Sequence, residues 1–349
     1  MNKGIFALLS EVDGILITSP YNMRYLSGFS GGEGAVWISK EKKLLLTDSR
    51  YIESAQNEAK DFTVKEAGNA ILKICEEIKT EGCKTVLVED KYLTASLYLK
   101  LTDELKDITI IPGSDKLDIL RSVKTEEELK IIEEAETICC RSFEKILDFI
   151  KPGISEKNIA AELEYYMRKM GGEKTAFDTI AISGAHTSLP HGTPTDKKIE
   201  KGDFITLDFG CIKNGYCSDM TRTVVVGKAS DEQKKIYNTV LEAQKVGLDA
   251  IRAGVFAKDA DYKAREVIEN EGYGKFFRHS LGHGVGLLVH EYPNLSPKSE
   301  VKLEENMVVS CEPGIYIPGF GGVRIEDLVA VRKNGVKNFT SSPKNLIEL

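Results

Sequence analysis

Two aspartates lie on a predicted β-hairpin in the second half of the chain. The segment from Phe204 to Gly210 is typical of a strand whose one acid is Asp208, and Asn214-Gly215 is a strong hairpin signal. The return strand is predicted to run from Tyr216 to Val226, and it carries Asp219. A two-residue turn places position 208 opposite 221 and Asp219 diagonal to Asp208. A turn shifted by one residue places the two aspartates opposite each other. Both registers bring two carboxylates to one face, where a cation would relieve their repulsion.

A second predicted hairpin repeats this arrangement with glutamates. Residues 308–312 form a strand that ends in Glu312, residues 318–322 form the turn, and residues 323–326 return to Glu326. The even separation of the two glutamates suits a hairpin with an odd-numbered loop. Such a hairpin keeps both carboxylates on one face.

The histidines of the chain fall into two short windows, one with His186 and His191 and one with His279, His283 and His290. Glycines flank His283 in the sequence HSLGHGVG, so the backbone can approach closely and little bulk surrounds a ligand. The chain has neither an HExxH motif nor a CxxC pair, which excludes the common zinc templates.

Four carboxylates and one imidazole make a hard, oxygen-rich ligand set that favours manganese, with cobalt, iron or zinc as alternatives. Four negative charges need more than one dication. Two bridged metal ions would acidify a water molecule and present hydroxide to an amide carbonyl. Taken singly, each residue has a simpler interpretation as a solvent-facing acid, a structural histidine or a turn glycine. Together they predict a dinuclear metal centre held by Asp208, Asp219, His283, Glu312 and Glu326.

The elements around these residues indicate two domains. Up to about residue 115, short apolar runs that predict strands alternate with segments of helical pattern. This alternation is typical of an α/β domain with a mixed sheet. The predicted strands are 14–17, 35–38, 44–47, 85–88 and 109–111, and the predicted helices are 51–59, 70–79 and 95–105. A capping box at Thr125 then begins a helix to Ile150, and Ser155 caps a second helix.

The second half contains the order helix, helix, β-hairpin twice. The first copy spans roughly residues 126–226, and the second spans roughly residues 231–331. This order predicts a pseudo-two-fold domain whose two hairpins face each other. An ordinary α+β domain without internal symmetry explains the same order and stays open at this point.

Composition narrows the class of protein. The chain has 349 residues, a formal net charge of -7, and no apolar run as long as a membrane span. The negative net charge argues against nucleic acid or an anionic membrane as a partner. Seven cysteines, an odd number without a CxxC pair, disfavour a disulfide framework. We therefore expect a reduced, cytoplasmic protein.

Several long motifs resemble the pita-bread-fold metallopeptidases, specifically the proline peptidases (Xaa-Pro dipeptidase and aminopeptidase P). The motifs are LDFGCIKNGYCSDMTRT, HSLGHGVGLLVHEYP and SCEPGIYIPGFGGVRIED, together with the N-terminal YNMRYLSGFSGG and LLTDSRY and the linker helix RSVKTEEELKIIEEA. The resemblance covers nearly the whole chain. It implies a creatinase-like α/β N-terminal domain (1–120) and an α+β pita-bread catalytic domain with internal pseudo-two-fold symmetry (121–349).

The resemblance also assigns roles to residues. It implies the same five metal ligands, with Glu312 also acting as general base. It matches His191 and His290 to histidines that hold the substrate and stabilise the tetrahedral intermediate, and His279 to a histidine on the proline side of the pocket. Tyr316 and Arg324 match supporting groups near the metals. His186 matches no role and is expected to be structural.

One position departs from the pattern of many relatives. These relatives place an arginine soon after the His-Glu pair, where it can bind a substrate carboxylate. Here Asn294 stands at that place, and Lys298 is the nearest cation in the sequence. The departure leaves peptides longer than dipeptides open as substrates.

The expected activity is hydrolysis of the Xaa-Pro bond, which releases the N-terminal residue of proline-containing peptides or dipeptides. The resemblance also implies a homodimer. A methionine-aminopeptidase-like enzyme is one alternative, but such enzymes usually lack a large N-terminal domain. Creatinase and non-catalytic peptide-binding relatives are others, but retention of all five ligands argues against both.

Overall fold

A computed structural model describes residues 3–349, which divide into two compact units that meet in the chain between Arg121 and Ser122. The helices of the first unit are α1 (Lys3–Leu8), α2 (Pro20–Ser27), α3 (Ile52–Glu58), α4 (Ala70–Thr80), α5 (Ala95–Glu104) and α6 (Ser114–Leu120). Its strands are β1 (Gly14–Ile17), β2 (Ala35–Ser39), β3 (Lys43–Thr47), β4 (Thr63–Glu66), β5 (Thr85–Val88) and β6 (Thr109–Pro112).

The first unit is built on one mixed six-stranded sheet in the order β4-β3-β2-β1-β5-β6. Strand β1 pairs parallel to β5 and antiparallel to β2. Alternate side chains of β1 enter two different apolar clusters, with Ile15 and Ile17 in one and Leu16 in the other. Apolar side chains therefore cover the sheet on both faces, which explains why β1 is a continuous apolar run.

The sequence predicted this mixed sheet and the positions of five of its strands. Strand β4 was missed because its residues are partly or fully exposed, so it lacks the apolar pattern of a core strand.

The second unit contains α7 (Glu126–Phe149), α8 (Glu156–Lys169), α9 (Asp231–Ala250) and α10 (Ala257–Asn270). Its first strands are β7 (Lys174–Thr175), β8 (Ile180–Ser183), β9 (Phe204–Phe209), β10 (Cys211–Lys213), β11 (Tyr216–Cys217) and β12 (Met220–Val225). They are followed by β13 (Gly282–Gly284), β14 (Glu291–Leu295), β15 (Val308–Cys311), β16 (Gly314–Ile317), β17 (Gly321–Arg324), β18 (Asp327–Arg332) and β19 (Gly335–Asn338).

The predicted repeat of two helices followed by a hairpin is present in this element order. Thr125 and Glu128 form the predicted capping box of α7, and the Ser155 side chain caps α8. Strands β12-β9-β8 form a three-stranded sheet, and β14-β13-β15-β18-β19 form a five-stranded one.

Each of these two sheets turns one face to apolar side chains of a helix pair. Ile205 and Leu207 of β9 pack with residues of α7 and α8, whereas Val309 and Cys311 of β15 pack with residues of α10. Since strand side chains alternate, Asp208 of β9 projects to the opposite face of its sheet, and Glu312 directly follows β15. Among the described residues, no helix combines the length and apolar character needed to span a bilayer.

Candidate active site

The first acidic hairpin adopts the register expected for a two-residue turn. Thr221 pairs with Asp208, and Lys213 pairs with Tyr216 across the turn. Asn214 and Gly215 take the positive φ angles, 44° and 78°, that such a turn requires.

The predicted continuous return strand is wrong, because the hairpin passes from one sheet into another. Asp219 lies between β11 and β12, opposite Gly210, which lies between β9 and β10. A Cβ atom on Gly210 would lie 2.0 Å from the carbonyl oxygen of Ser218, so only glycine allows the strands to approach this closely here.

The second acidic hairpin also breaks at its acids. Strands β16 and β17 close around the three residues 318–320, the predicted odd-numbered loop. Cys311 pairs with Asp327, and Gly314 pairs with Arg324. This register places Glu312 and Glu326 opposite each other, in the gap between the two pairs of strands. Glu312 therefore lies just beyond β15 rather than within it.

His283 completes the group of candidate ligands. Its Nε2 atom lies 3.4 Å from Oε1 of Glu312 and 3.6 Å from Oδ2 of Asp219. Ligand atoms of Asp219, His283 and Glu326 all lie within 4.8 Å of one another. Nδ1 of His283 lies 3.1 Å from the carbonyl oxygen of Gly284, so Nδ1 carries the proton and Nε2 presents its lone pair to the acids.

The chemistry of this donor set fits divalent cations. Burial and the neighbouring carboxylates raise the pKa of both Asp219 and Glu326 well above the usual range. Burial, with repulsion from Asp208, raises the pKa of Glu312 to about 8, although Arg324 opposes this shift. Oδ1 of Asp208 is buried without a hydrogen-bond partner. Cations among these acids would relieve the repulsion and give that oxygen a partner.

Arg324 and Tyr316 form a hydrogen-bonded chain beside the acids. Arg324 donates from Nη2 to Oδ2 of Asp208 at 2.5 Å and from Nη1 to the Tyr316 hydroxyl at 2.8 Å. The Tyr316 hydroxyl lies 2.9 Å from Nε2 of His279, whose Nδ1 faces the carbonyl oxygen of Ser280 at 2.8 Å. His279 thus donates from Nδ1 and accepts the tyrosine proton at Nε2. Burial and the charge of Arg324 lower the pKa of His279 to about 4, so its ring is neutral.

The predicted substrate-binding histidines line the same cavity. It has a volume of about 630 Å³, and His191, His279 and His290 border it together with the five candidate ligands and Arg324. The ring of His290 packs edge-on against that of His283, with 4.3 Å between centroids. Burial and the nearby His191 lower the pKa of His290, although the charge of Asp208 opposes this shift. Tyr316 reaches the site through its hydroxyl contacts with Arg324 and His279.

The sequence-based reasoning missed two hydroxyl side chains that hold the acids. Thr221 donates from Oγ1 to Oε2 of Glu326 at 2.7 Å and accepts from Nε of Arg324 at 3.0 Å. Oγ of Ser310 accepts from the backbone N–H of His283 at 3.1 Å and donates to Oε1 of Glu312 at 3.3 Å. The two-residue period of a strand could have identified both, because Thr221 is two residues from Asp219 and Ser310 is two residues from Glu312.

Comparison with known proteins places the whole chain among peptidases. The sequence profile of metallopeptidase family M24 matches residues 130–333. The profile of the creatinase/prolidase N-terminal domain matches residues 9–123. An Xaa-Pro dipeptidase of Pyrococcus furiosus is 40% identical over 346 residues, which cover 97% of this chain and 96% of that protein.

Two solved structures are similar over nearly their full length. An Xaa-Pro dipeptidase from Bacillus anthracis has a TM-score of 0.96 and 44% identity, with 99% of this chain and 98% of that chain covered. An X-Pro aminopeptidase from Thermotoga maritima has a TM-score of 0.91 and 40% identity, with 99% of each chain covered.

Proposed function

The chain belongs to metallopeptidase family M24 and has its pita-bread fold. From this premise we propose that it is a metal-dependent exopeptidase that hydrolyses the Xaa-Pro bond and releases the N-terminal residue of proline-containing peptides. The observation that carries the proposal is the convergence of two acidic hairpins and His283 on one cavity. The similar proteins named as an Xaa-Pro dipeptidase and an X-Pro aminopeptidase support the specificity for proline.

Two divalent ions would be held by Asp208, Asp219, His283, Glu312 and Glu326. Four carboxylates match the charge of two dications, and a set of hard oxygen donors favours manganese, with cobalt, iron and zinc as alternatives. When bound, the ions would supply an acidified water molecule and positive charge at the scissile carbonyl.

The remaining site residues act on the substrate and on protons. Glu312 would take a proton from the attacking water, the general-base role that the resemblance to the proline peptidases implies for it. His191 and His290 would hold the peptide and donate hydrogen bonds to the oxygen that becomes charged in the transition state. His279, neutral and fixed by Tyr316, would present its ring to the proline side chain.

The cavity favours peptides that continue beyond proline. Within the described chain, Arg324 is the only arginine or lysine that borders this cavity. Four of its five N–H groups are engaged by the Tyr316 hydroxyl, Asp208, Thr221 and the Pro190 carbonyl oxygen. Asn294, across the strand pair from His283, borders the cavity at the position where the resemblance leads us to look for a carboxylate-binding arginine. Among the described residues, this cavity therefore offers the terminal carboxylate of a dipeptide no arginine or lysine that is free of other partners.

Two further expectations rest on the resemblance and the composition. We propose that the protein is a homodimer in the cytoplasm. Size-exclusion chromatography with light scattering tests the first part, and a mass equal to one chain would contradict it.

Hydrolysis after manganese loading tests the proposed activity. An Xaa-Pro dipeptide, an Xaa-Pro-Yaa tripeptide and an Xaa-Ala control should be compared with and without chelator. We expect cleavage of the proline substrates alone, faster turnover of the tripeptide, and loss of activity with chelator. Cleavage of the control would contradict proline specificity, and a faster dipeptide rate would contradict the preference for longer peptides.

Substitution of ligands tests the site. Asp208→Ala and Glu326→Ala should each abolish manganese-dependent turnover and lower metal content while the fold is retained. Asp178→Asn, which changes an exposed acid at the rim of the same cavity, should keep its metal content. Near-normal turnover of either alanine variant with manganese would contradict the assignment.

A further inference from the structure

The loop that carries His191 connects β8 to β9 and contains one short 3₁₀ turn, Gly184–Ser188. His191 itself is exposed, although its neighbour Gly192 is buried. A histidine that stabilises a transition state must be held close to its working position, since small displacements lower the rate strongly. The loop therefore needs an anchor outside its own backbone.

Glu156, the first residue of α8, contacts the end of β8 and two points of this loop. Its Oε1 accepts from the backbone N–H of Ser183 at 2.7 Å and from the Ser183 hydroxyl at 2.9 Å. Its Oε2 accepts from the backbone N–H of Thr195 at 2.9 Å and from the Thr195 hydroxyl at 2.7 Å. Nδ1 of His186 lies 3.1 Å from Oε2. One carboxylate thus binds the last residue of β8 and, within the loop, a residue on each side of His191.

The carboxylate is well suited to this role because it is fully buried yet charged. Its side chain has no exposed area. Burial alone would raise its pKa, but the hydrogen bonds from Thr195, Ser183 and His186 outweigh that effect and lower it. The position at the start of α8 also favours negative charge.

His186 connects Glu156 to the part of the loop that carries His191. Because Glu156 is ionised and can only accept, Nδ1 of His186 must be the donor. The ring packs against Gly192, where an added Cβ atom would lie 3.1 Å from Nε2. Backbone hydrogen bonds run from Leu189 to His186 at 3.0 Å and from Gly192 to Leu189 at 3.1 Å.

Two contacts fix the loop to the acidic hairpin on its other side. The Thr187 hydroxyl accepts from the backbone N–H of Gly322 at 2.7 Å. Nη1 of Arg324 donates to the carbonyl oxygen of Pro190 at 3.3 Å. The loop is therefore held between α8 and the hairpin that carries Glu312 and Glu326.

We propose that Glu156, through His186 and Thr195, is a positioning residue that holds His191 in place for catalysis. This inference rests on the proposed function, in which His191 acts on the substrate. It gives His186, which the sequence left without a role, a part in the same reaction.

A double-mutant cycle between Glu156→Gln and His191→Ala tests the inference. Glutamine keeps the length of the side chain, but its NH₂ group would face donors of either Ser183 or Thr195, so the anchor weakens. We expect Glu156→Gln to lower kcat by about 10²-fold, as for loss of a transition-state hydrogen bond, with KM and metal content changed less than about twofold. In the His191→Ala background the same substitution should have almost no further effect on kcat.

The outcomes distinguish the role of His191 from the role of Glu156. If His191→Ala alone leaves kcat unchanged, the proposed role of His191 is wrong. If His191→Ala lowers kcat but Glu156→Gln lowers it equally in both backgrounds, only the positioning role is wrong. Unchanged kcat in Glu156→Gln would also overturn that role. Glu164→Gln, about two turns further along α8, is the matched control and should keep kcat.

Thr195→Val provides a second test should Glu156→Gln fail to fold. It removes one donor to Oε2 while it keeps the shape of the side chain. We expect a smaller loss of kcat that again disappears in the His191→Ala background. A loss that persists there would contradict the inference.

Discussion

Without divalent cations, the free energy of unfolding of the protein should fall as the pH rises. In the metal-free folded chain, burial and repulsion from Asp208 raise the pKa of Glu312 from 4.5 to about 8. Between these two pH values, the unfolded chain has lost this proton and the folded chain retains it. The unfolded state therefore binds fewer protons, and the free energy of unfolding falls as the pH rises. This part of the stability is complete below pH 4.5 and is lost by about pH 8.

The size of the effect follows from the interval between the two pKa values. At about 1.4 kcal/mol per pKa unit, Glu312 alone gives an upper limit of about 5 kcal/mol. Asp219 and Glu326 shift in the same direction and add to it. Since domains are stable by only about 5–15 kcal/mol, the loss should be easily measured. Bound cations pair with the ionised carboxylates and should abolish the decline.

Urea unfolding between pH 5 and pH 8, with chelator and with manganese, measures both curves. We expect the midpoint to fall with pH in chelator and to stay nearly constant with manganese. Glu312→Gln, which cannot ionise, should reduce the decline in chelator. A metal-free midpoint that is constant or rises over this range would refute the reasoning, as would equal slopes with and without manganese.

Three further predictions follow from single contacts. The side chains of Lys124 and Glu291 are each 1% exposed, and they form an ion pair at 2.7 Å. Lys124→Met leaves the charge of Glu291 buried without this partner, so it should lower the free energy of unfolding, measured by urea denaturation, by about 3–5 kcal/mol. Lys124→Met/Glu291→Leu should recover most of this loss, and an unchanged midpoint in the single variant would contradict the pair. A Cβ atom at position 210 would lie 2.0 Å from the Ser218 carbonyl oxygen and would push the strands apart beside Asp219. Gly210→Ala should therefore contain less metal by elemental analysis, and a full metal content would contradict this expectation. His290→Ala should lower kcat more than metal content, whereas equal losses would make His290 a ligand.

The sequence was most informative where local geometry decides the outcome. The Asn214-Gly215 turn fixed the register that pairs Asp208 with Thr221. The even separation of Glu312 and Glu326 required the odd loop that closes their hairpin. Both results depend only on turn chemistry and the two-residue period of a strand.

Contacts between segments that are far apart in the sequence could not be predicted from turn chemistry or strand periodicity. Glu156 and Thr195 are 39 positions apart, and no local pattern links a helix-capping region to a loop. His186 accordingly had no role, since its partner could not be identified from spacing. The exposed strand β4 was missed for a related reason, because pairing with β3 rather than an apolar pattern makes it a strand.

The breaks in the two hairpins explain how the acids converge. An unbroken strand would hold Asp219 or Glu326 within a regular ladder, where a carboxylate faces only its cross-strand neighbours. Instead both hairpins leave one sheet and enter another at the acidic residues. Glu326 at the second break accepts a hydrogen bond from Thr221 of the first hairpin, and the Glu326 backbone N–H donates to the Thr221 carbonyl oxygen. Contact between the two breaks thus brings both pairs of carboxylates to one place, which neither hairpin could achieve alone.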